Sequence, residues 1–114
     1  MIWRDDLSCA LQELSERMLE IYGDRLKTVI LYGSVARGTD TEGSDVDVMV
    51  LIDGSDRELR QYDEQLGRAS SDLSLRYFMV FSIIDVQYRE FMDWKTVLPF
   101  YRNVDREGIV LYAA

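Results

Sequence analysis

The sequence predicts an α/β (α+β) fold, a small mixed sheet packed by helices. Two apolar, strand-like runs, Thr28 to Tyr32 and Val46 to Ile52, lie between segments of helical periodicity, and a third covers Tyr77 to Ile84. Short strands alternating with amphipathic helices can bury their apolar faces only by layering helices on a sheet.

The first helix is carried by Leu7, Leu11, Leu14, Met18 and Ile21, which recur at helical spacing. Asp5 or Asp6 can cap its start, and Gly23 can end it in a left-handed conformation. Thr28 to Tyr32 is β-branched and apolar, and Val46 to Ile52 is apolar at nearly every position, so both read as central strands covered on two faces. Ser55 with Glu58 forms a capping box ahead of Leu59, Tyr62, Leu66, Ala69 and Leu73, the apolar face of a second long helix. Tyr77 to Ile84 is an unbroken run of strand formers apart from Ser82. Tyr88, Phe91 and Trp94 mark a short helix, and another runs from Pro99 to Glu107, opened by the proline and closed by Gly108. Ile109 to Tyr112 can add an edge strand. The order α-β-β-α-β-α-α, with this optional last strand, describes one domain over residues 1–114, without repeats or linkers.

Composition narrows the chemistry. At 47% hydrophobic and 30% charged residues the chain reads as a soluble globule, and no apolar run approaches the roughly 20 residues of a membrane span. The amphipathic, acidic N-terminus does not read as a signal peptide. Cys9 is the single cysteine, which excludes an intramolecular disulfide and points to a reducing cytoplasm. There is no histidine, so Ser-His-Asp and Cys-His catalysis and imidazole metal sites are excluded. Carboxylates are left as the metal ligands, and a hard ion such as Mg²⁺ suits an all-oxygen site. The net charge is −8 and the 13 basic residues are scattered, which argues against a long nucleic acid and for a small nucleotide or a protein partner.

Asp45 and Asp47 stand two residues apart at the start of the second strand, so on a regular strand both carboxylates face one way and can share metal ions. Gly33-Ser34 ends the first strand, with ten residues between it and Asp45, and there a glycine admits a phosphate close to the backbone and the Ser34 hydroxyl adds a donor. Arg37, on a short helix from Val35 to Gly38, points either to the same region or to solvent. Taken singly these are ordinary features: Gly-Ser is a common turn, and an aspartate is tolerated at a strand end.

Together, GSVARG, a short polar insert and SDVD ahead of an apolar strand resemble the minimal nucleotidyltransferases of the DNA polymerase beta-like nucleotidyltransferase superfamily. The resemblance implies two-metal nucleotidyl transfer. Asp45 and Asp47 would be the catalytic, magnesium-holding carboxylates, Gly33, Ser34 and Arg37 would bind the nucleotide, and AMP would pass from ATP to a hydroxyl. It further implies an antitoxin whose partner is a HEPN-type toxin, with oligomeric state left open. The superfamily's third carboxylate comes from a later strand, and aligning this chain on the usual layout places Phe78 there. Asp85 has the wrong strand parity to substitute, and Asp72 precedes the strand. A nucleotide-binding or partner-masking module with impaired catalysis is therefore the second reading, for which Tyr88, Phe91, Trp94, Phe100 and Tyr101 offer either an interface or core packing. Modification of a small molecule such as an aminoglycoside is a third.

Overall fold

The structure, a computed structural model, describes residues 5–114. Helix α1 (Asp5–Tyr22) buries Leu7, Leu11, Leu14 and Met18 of the predicted stripe, with Ala10 and Tyr22, while Ile21 is half-buried. Asp5 and Asp6 occupy its first turn, where carboxylates meet the positive end of the helix dipole. Gly23 takes φ 57° and turns the chain through a short 3₁₀ segment into β1 (Leu26–Tyr32). A five-residue helix α2 (Gly33–Arg37) follows directly, and β2 (Val46–Ile52) runs back antiparallel to β1. Then come α3 (Asp56–Arg60), α4 (Asp63–Tyr77), β3 (Phe81–Gln87), α5 (Tyr88–Trp94), α6 (Pro99–Glu107) and β4 (Ile109–Ala113).

The sheet order is β3-β2-β1-β4, so the two strands that carry the motif are central, as their two-sided hydrophobicity requires. β3 lies parallel to β2 and β4 antiparallel to β1, which makes the sheet mixed. On one face, Val29, Leu31, Val46, Val48, Val50, Ile52 and Phe81 pack against α1 and α4. On the other, Ile30, Met49 and Leu51 meet Phe91 of α5 and Val104 of α6. This second face carries the candidate site.

Two expectations shift. The long helix after Ser55 is divided: Ser55 and Glu58 do form the reciprocal capping box, but it opens α3 alone. Gln61 and Tyr62 donate to the carbonyls of Glu58 and Leu59 three residues back, tightening the chain before α4 begins. The third strand starts later than the apolar run, because Tyr77 still belongs to α4, where its hydroxyl donates to Glu13 at 3.0 Å. Phe78 then adopts φ 54°, ψ 42° and reverses the chain. Ser74 and Ser70 secure the junction, the first accepting from the Phe81 amide at 3.2 Å and the second donating to the Phe81 carbonyl at 2.7 Å.

Candidate functional site

Register brings the motif together. Tyr32, the last residue of β1, pairs with Asp47 on β2, so Gly33 emerges beside the Asp47 carboxylate. Gly33 has φ 76°, and a Cβ there would collide with Asp47 Oδ2 while lying 3.3 Å from its Cγ. Only glycine fits both the left-handed backbone and the close approach. Ser34 is the next residue of α2, and Val35 and Ala36 anchor that helix in the core. Gly38, at φ 76°, ends it.

The connecting segment is organised by its own polar groups: the Ser44 hydroxyl accepts from the Thr41 amide at 2.9 Å, and the Ser44 amide donates to the Thr41 carbonyl at 2.9 Å. The chain thereby enters β2 with Asp45 exposed at its threshold and Asp47 half-buried on it. Burial pushes the Asp47 carboxyl above the usual carboxylate range, Asp45 adds to the rise, and Arg37 opposes it. Tyr32 is likewise raised, by burial and then by Asp47. Arg37 is therefore within electrostatic reach of Asp47, although it is exposed and its guanidinium bonds Glu107 of α6 at 3.3 Å.

The two carboxylates form an all-oxygen donor set in which Asp47 is disfavoured as an anion by burial and then by Asp45. A hard divalent cation fits such a pair, because it replaces repulsion with shared attraction. Among the described residues no group of three or more acidic or other ligating side chains is placed to hold a metal.

The structure takes Phe78 off the strand on which the missing carboxylate is expected. Phe78 is not on β3; it is the left-handed residue closing α4 and is 94% exposed. The β3 residue paired with Asp47 is Ser82, and in parallel strands register partners share a face. Ser82 is legible as the single polar interruption of an apolar run, but the run begins at Tyr77, inside α4, so composition alone does not give its partner. Neither acidic neighbour compensates. Asp85 sits on the α1 side of the sheet, accepting from the Tyr22 hydroxyl at 2.9 Å, and Asp72 on α4 pairs with Arg17 at 3.0 Å. The aromatic set divides as well: Phe91 is core, Tyr101 donates to Glu90, and Trp94 and Phe100 are exposed.

A helix-flanked mixed sheet with a glycine turn set against a carboxylate pair defines the nucleotidyltransferase class. The family model described as nucleotidyltransferase domain matches residues 11–98, and the chain belongs to that family. A candidate protein adenylyltransferase of Methanocaldococcus jannaschii is 35% identical over 103 residues, which cover 90% of this chain and 95% of that protein. A solved structure of a candidate minimal nucleotidyltransferase superposes with a TM-score of 0.56 at 23% identity, over 90% of each chain. A crystal structure of a toxin–antitoxin with AMP-PNP superposes with a TM-score of 0.58 at 21% identity, over 90% of this chain and 73% of that one. At these identities the structural likeness concerns the fold.

Proposed function

We propose that this chain transfers AMP from ATP to a hydroxyl of a partner protein, as an antitoxin acting on a HEPN-type toxin. The observation that carries the reading is the packing of Gly33 against Asp47, which joins the phosphate turn to the carboxylate pair. The family and the near full-length similarity to a candidate protein adenylyltransferase support it.

In this reading Asp45 and Asp47 hold Mg²⁺, which when bound supplies Lewis-acid neutralisation of charge on the phosphates. Gly33 lets the triphosphate approach the backbone, and the Ser34 hydroxyl donates to it. Arg37 leaves Glu107 for a phosphate oxygen, a stronger acceptor than an exposed carboxylate at 3.3 Å. The acceptor oxygen bonds to the α-phosphorus, the bond from that phosphorus to the bridging oxygen breaks, and pyrophosphate leaves. The acceptor's proton passes to solvent. Incubated with Mg-ATP and its purified partner, the chain should yield a partner heavier by one AMP unit, and Asp45→Asn with Asp47→Asn should abolish the adduct. An authentic partner that stays unmodified under these conditions removes this reading.

Ser82 favours a second reading, a Mg-nucleotide-binding module that restrains its partner by masking it. A hydroxyl beside Asp47 leaves fewer anionic ligands for the ion that would activate the nucleophile. Unimpaired inhibition by the double aspartate variant would support masking.

A further inference from the structure

The turn from α5 to α6 and the first residues of α6 expose Trp94 at 48%, Val97 at 59%, Leu98 at 41% and Phe100 at 47%. Four large apolar side chains exposed within seven positions of one helix–turn–helix segment are the kind of clustering that marks an interaction surface. Their exposure does not come from loose packing. Phe91 and Val104 of the same two helices are buried against the sheet, Tyr101 donates to Glu90, and Lys95 pairs with Asp105 at 3.6 Å across the hairpin.

The patch adjoins the candidate site. Phe100 meets the ring of Tyr32 edge-on, with centroids 5.6 Å apart, and Tyr32 is the register partner of Asp47. Charge is distributed to match. Residues 88–107 balance Arg89, Lys95, Arg102 and Arg106 against Glu90, Asp93, Asp105 and Glu107, so the net charge of −8 lies elsewhere. Part of it borders the site on another side: residues 39–47 hold Asp40, Glu42, Asp45 and Asp47 and no Lys or Arg, with Asp40 and Glu42 exposed.

We infer that Trp94, Val97, Leu98 and Phe100 dock the protein that accepts the nucleotidyl group. The partner presents an apolar patch beside its acceptor hydroxyl, bordered by Lys or Arg where it meets Asp40 and Glu42. This rests on the reading of the site as a protein-modifying nucleotidyltransferase. An apolar, charge-balanced surface suits the desolvated centre of a protein interface, and it lacks the basic cluster that a nucleic acid needs.

The test uses the full chain and, as acceptor, the protein encoded by the adjacent reading frame. Leu98→Asp and, separately, Val97→Lys should weaken complex formation by about tenfold or more, as expected near the centre of an interface, and reduce AMP transfer in parallel. Mg-ATP affinity, read by calorimetry, should stay within about twofold, since neither side chain belongs to the nucleotide site. Asp40→Lys with Glu42→Lys should slow association several-fold and flatten its dependence on salt between about 50 and 300 mM. Full binding and modification by Leu98→Asp would overturn the inference, as would a wild-type chain that forms no complex, or one that self-associates through this patch. Complex formation abolished by Leu98→Asp, with no transfer by the wild type, would instead retain the docking surface and remove the transferase reading.

Discussion

A methyl group at Gly33 would enter the space held by the Asp47 carboxylate, on a backbone at φ 76°. Gly33→Ala should therefore cost about 1–3 kcal/mol in chemical denaturation and abolish Mg-nucleotide binding in calorimetry. Gly43 supplies the control, for its φ is 92° but a Cβ there would meet nothing within 4 Å. Gly43→Ala should lose roughly 1 kcal/mol from the backbone alone and leave nucleotide affinity nearly unchanged. Equal losses of affinity at the two glycines would show that the approach to Asp47 is immaterial. Ser82 permits the complementary gain. Because it pairs with Asp47 on the same face, Ser82→Asp should raise Mn²⁺ affinity about tenfold and increase transfer, whereas Phe78→Asp, exposed at the end of α4, should do neither. An unchanged Mn²⁺ titration for Ser82→Asp would rule out this position as part of a metal site.

At the scale of elements, strand parity on β3 puts Ser82 on the face of Asp47 and Asp85 on the opposite face. Asp85 faces α1, where burial raises its carboxyl, the Tyr22 hydroxyl bond opposes that rise, and Asp63 adds to it. A raised folded-state pKa means that the native state binds more protons than the unfolded chain between the ordinary carboxylate value, about 3.9, and the raised one. This residue's contribution to stability is thus lost as pH rises through that window. Asp85→Asn keeps an acceptor for Tyr22 and cannot ionise, so its melting temperature should gain a few degrees on the wild type between acid and neutral pH. Parallel melting curves at every pH would refute the assignment. The same strand shows what was legible beforehand. Two-sided apolar runs identified β1 and β2 as central, and Pro99 and Gly108 bounded α6, because those signals are local. The start of β3 was not legible, since Tyr77 and Phe78 suit a strand as well as a helix end, and only the bonds of Ser70 and Ser74 to Phe81 decide between them. The family layout, fitted between the helix end and the Tyr88–Phe91 segment, puts the third carboxylate at Phe78, whereas the register partner of Asp47 is Ser82, four residues further on. The closeness of the Gly33 turn to Asp47 follows from two neighbouring strands and so was legible in the spacing, while the contact of Tyr32 with Phe100 depends on how α6 folds back.

For the molecule as a whole, the two faces of the sheet are unequally covered. The α1 and α4 side buries a cluster that includes Leu14, Met18, Val48, Ile52 and Leu73, whereas the opposite side buries Ile30, Met49, Leu51, Phe91 and Val104. Apolar burial supplies most folding free energy, so the α5–α6 layer has less holding it to the sheet. Local opening draws on the less stable layers, and this layer also forms one wall of the candidate site through Phe100 and the Arg37–Glu107 pair. Native-state hydrogen exchange should accordingly show amides of α5 and α6 opening at lower free energy than those of α1, β1 and β2. Phe91→Ala, which removes the main aromatic anchor of that layer, should cost about 3 kcal/mol. The loss should appear first as faster exchange in α5 and α6 with the sheet still protected, and as weaker partner binding with Mg-nucleotide affinity largely retained. If Phe91→Ala instead accelerates exchange in all elements equally, the hairpin and the sheet unfold as one unit, and the site wall has no independent motion.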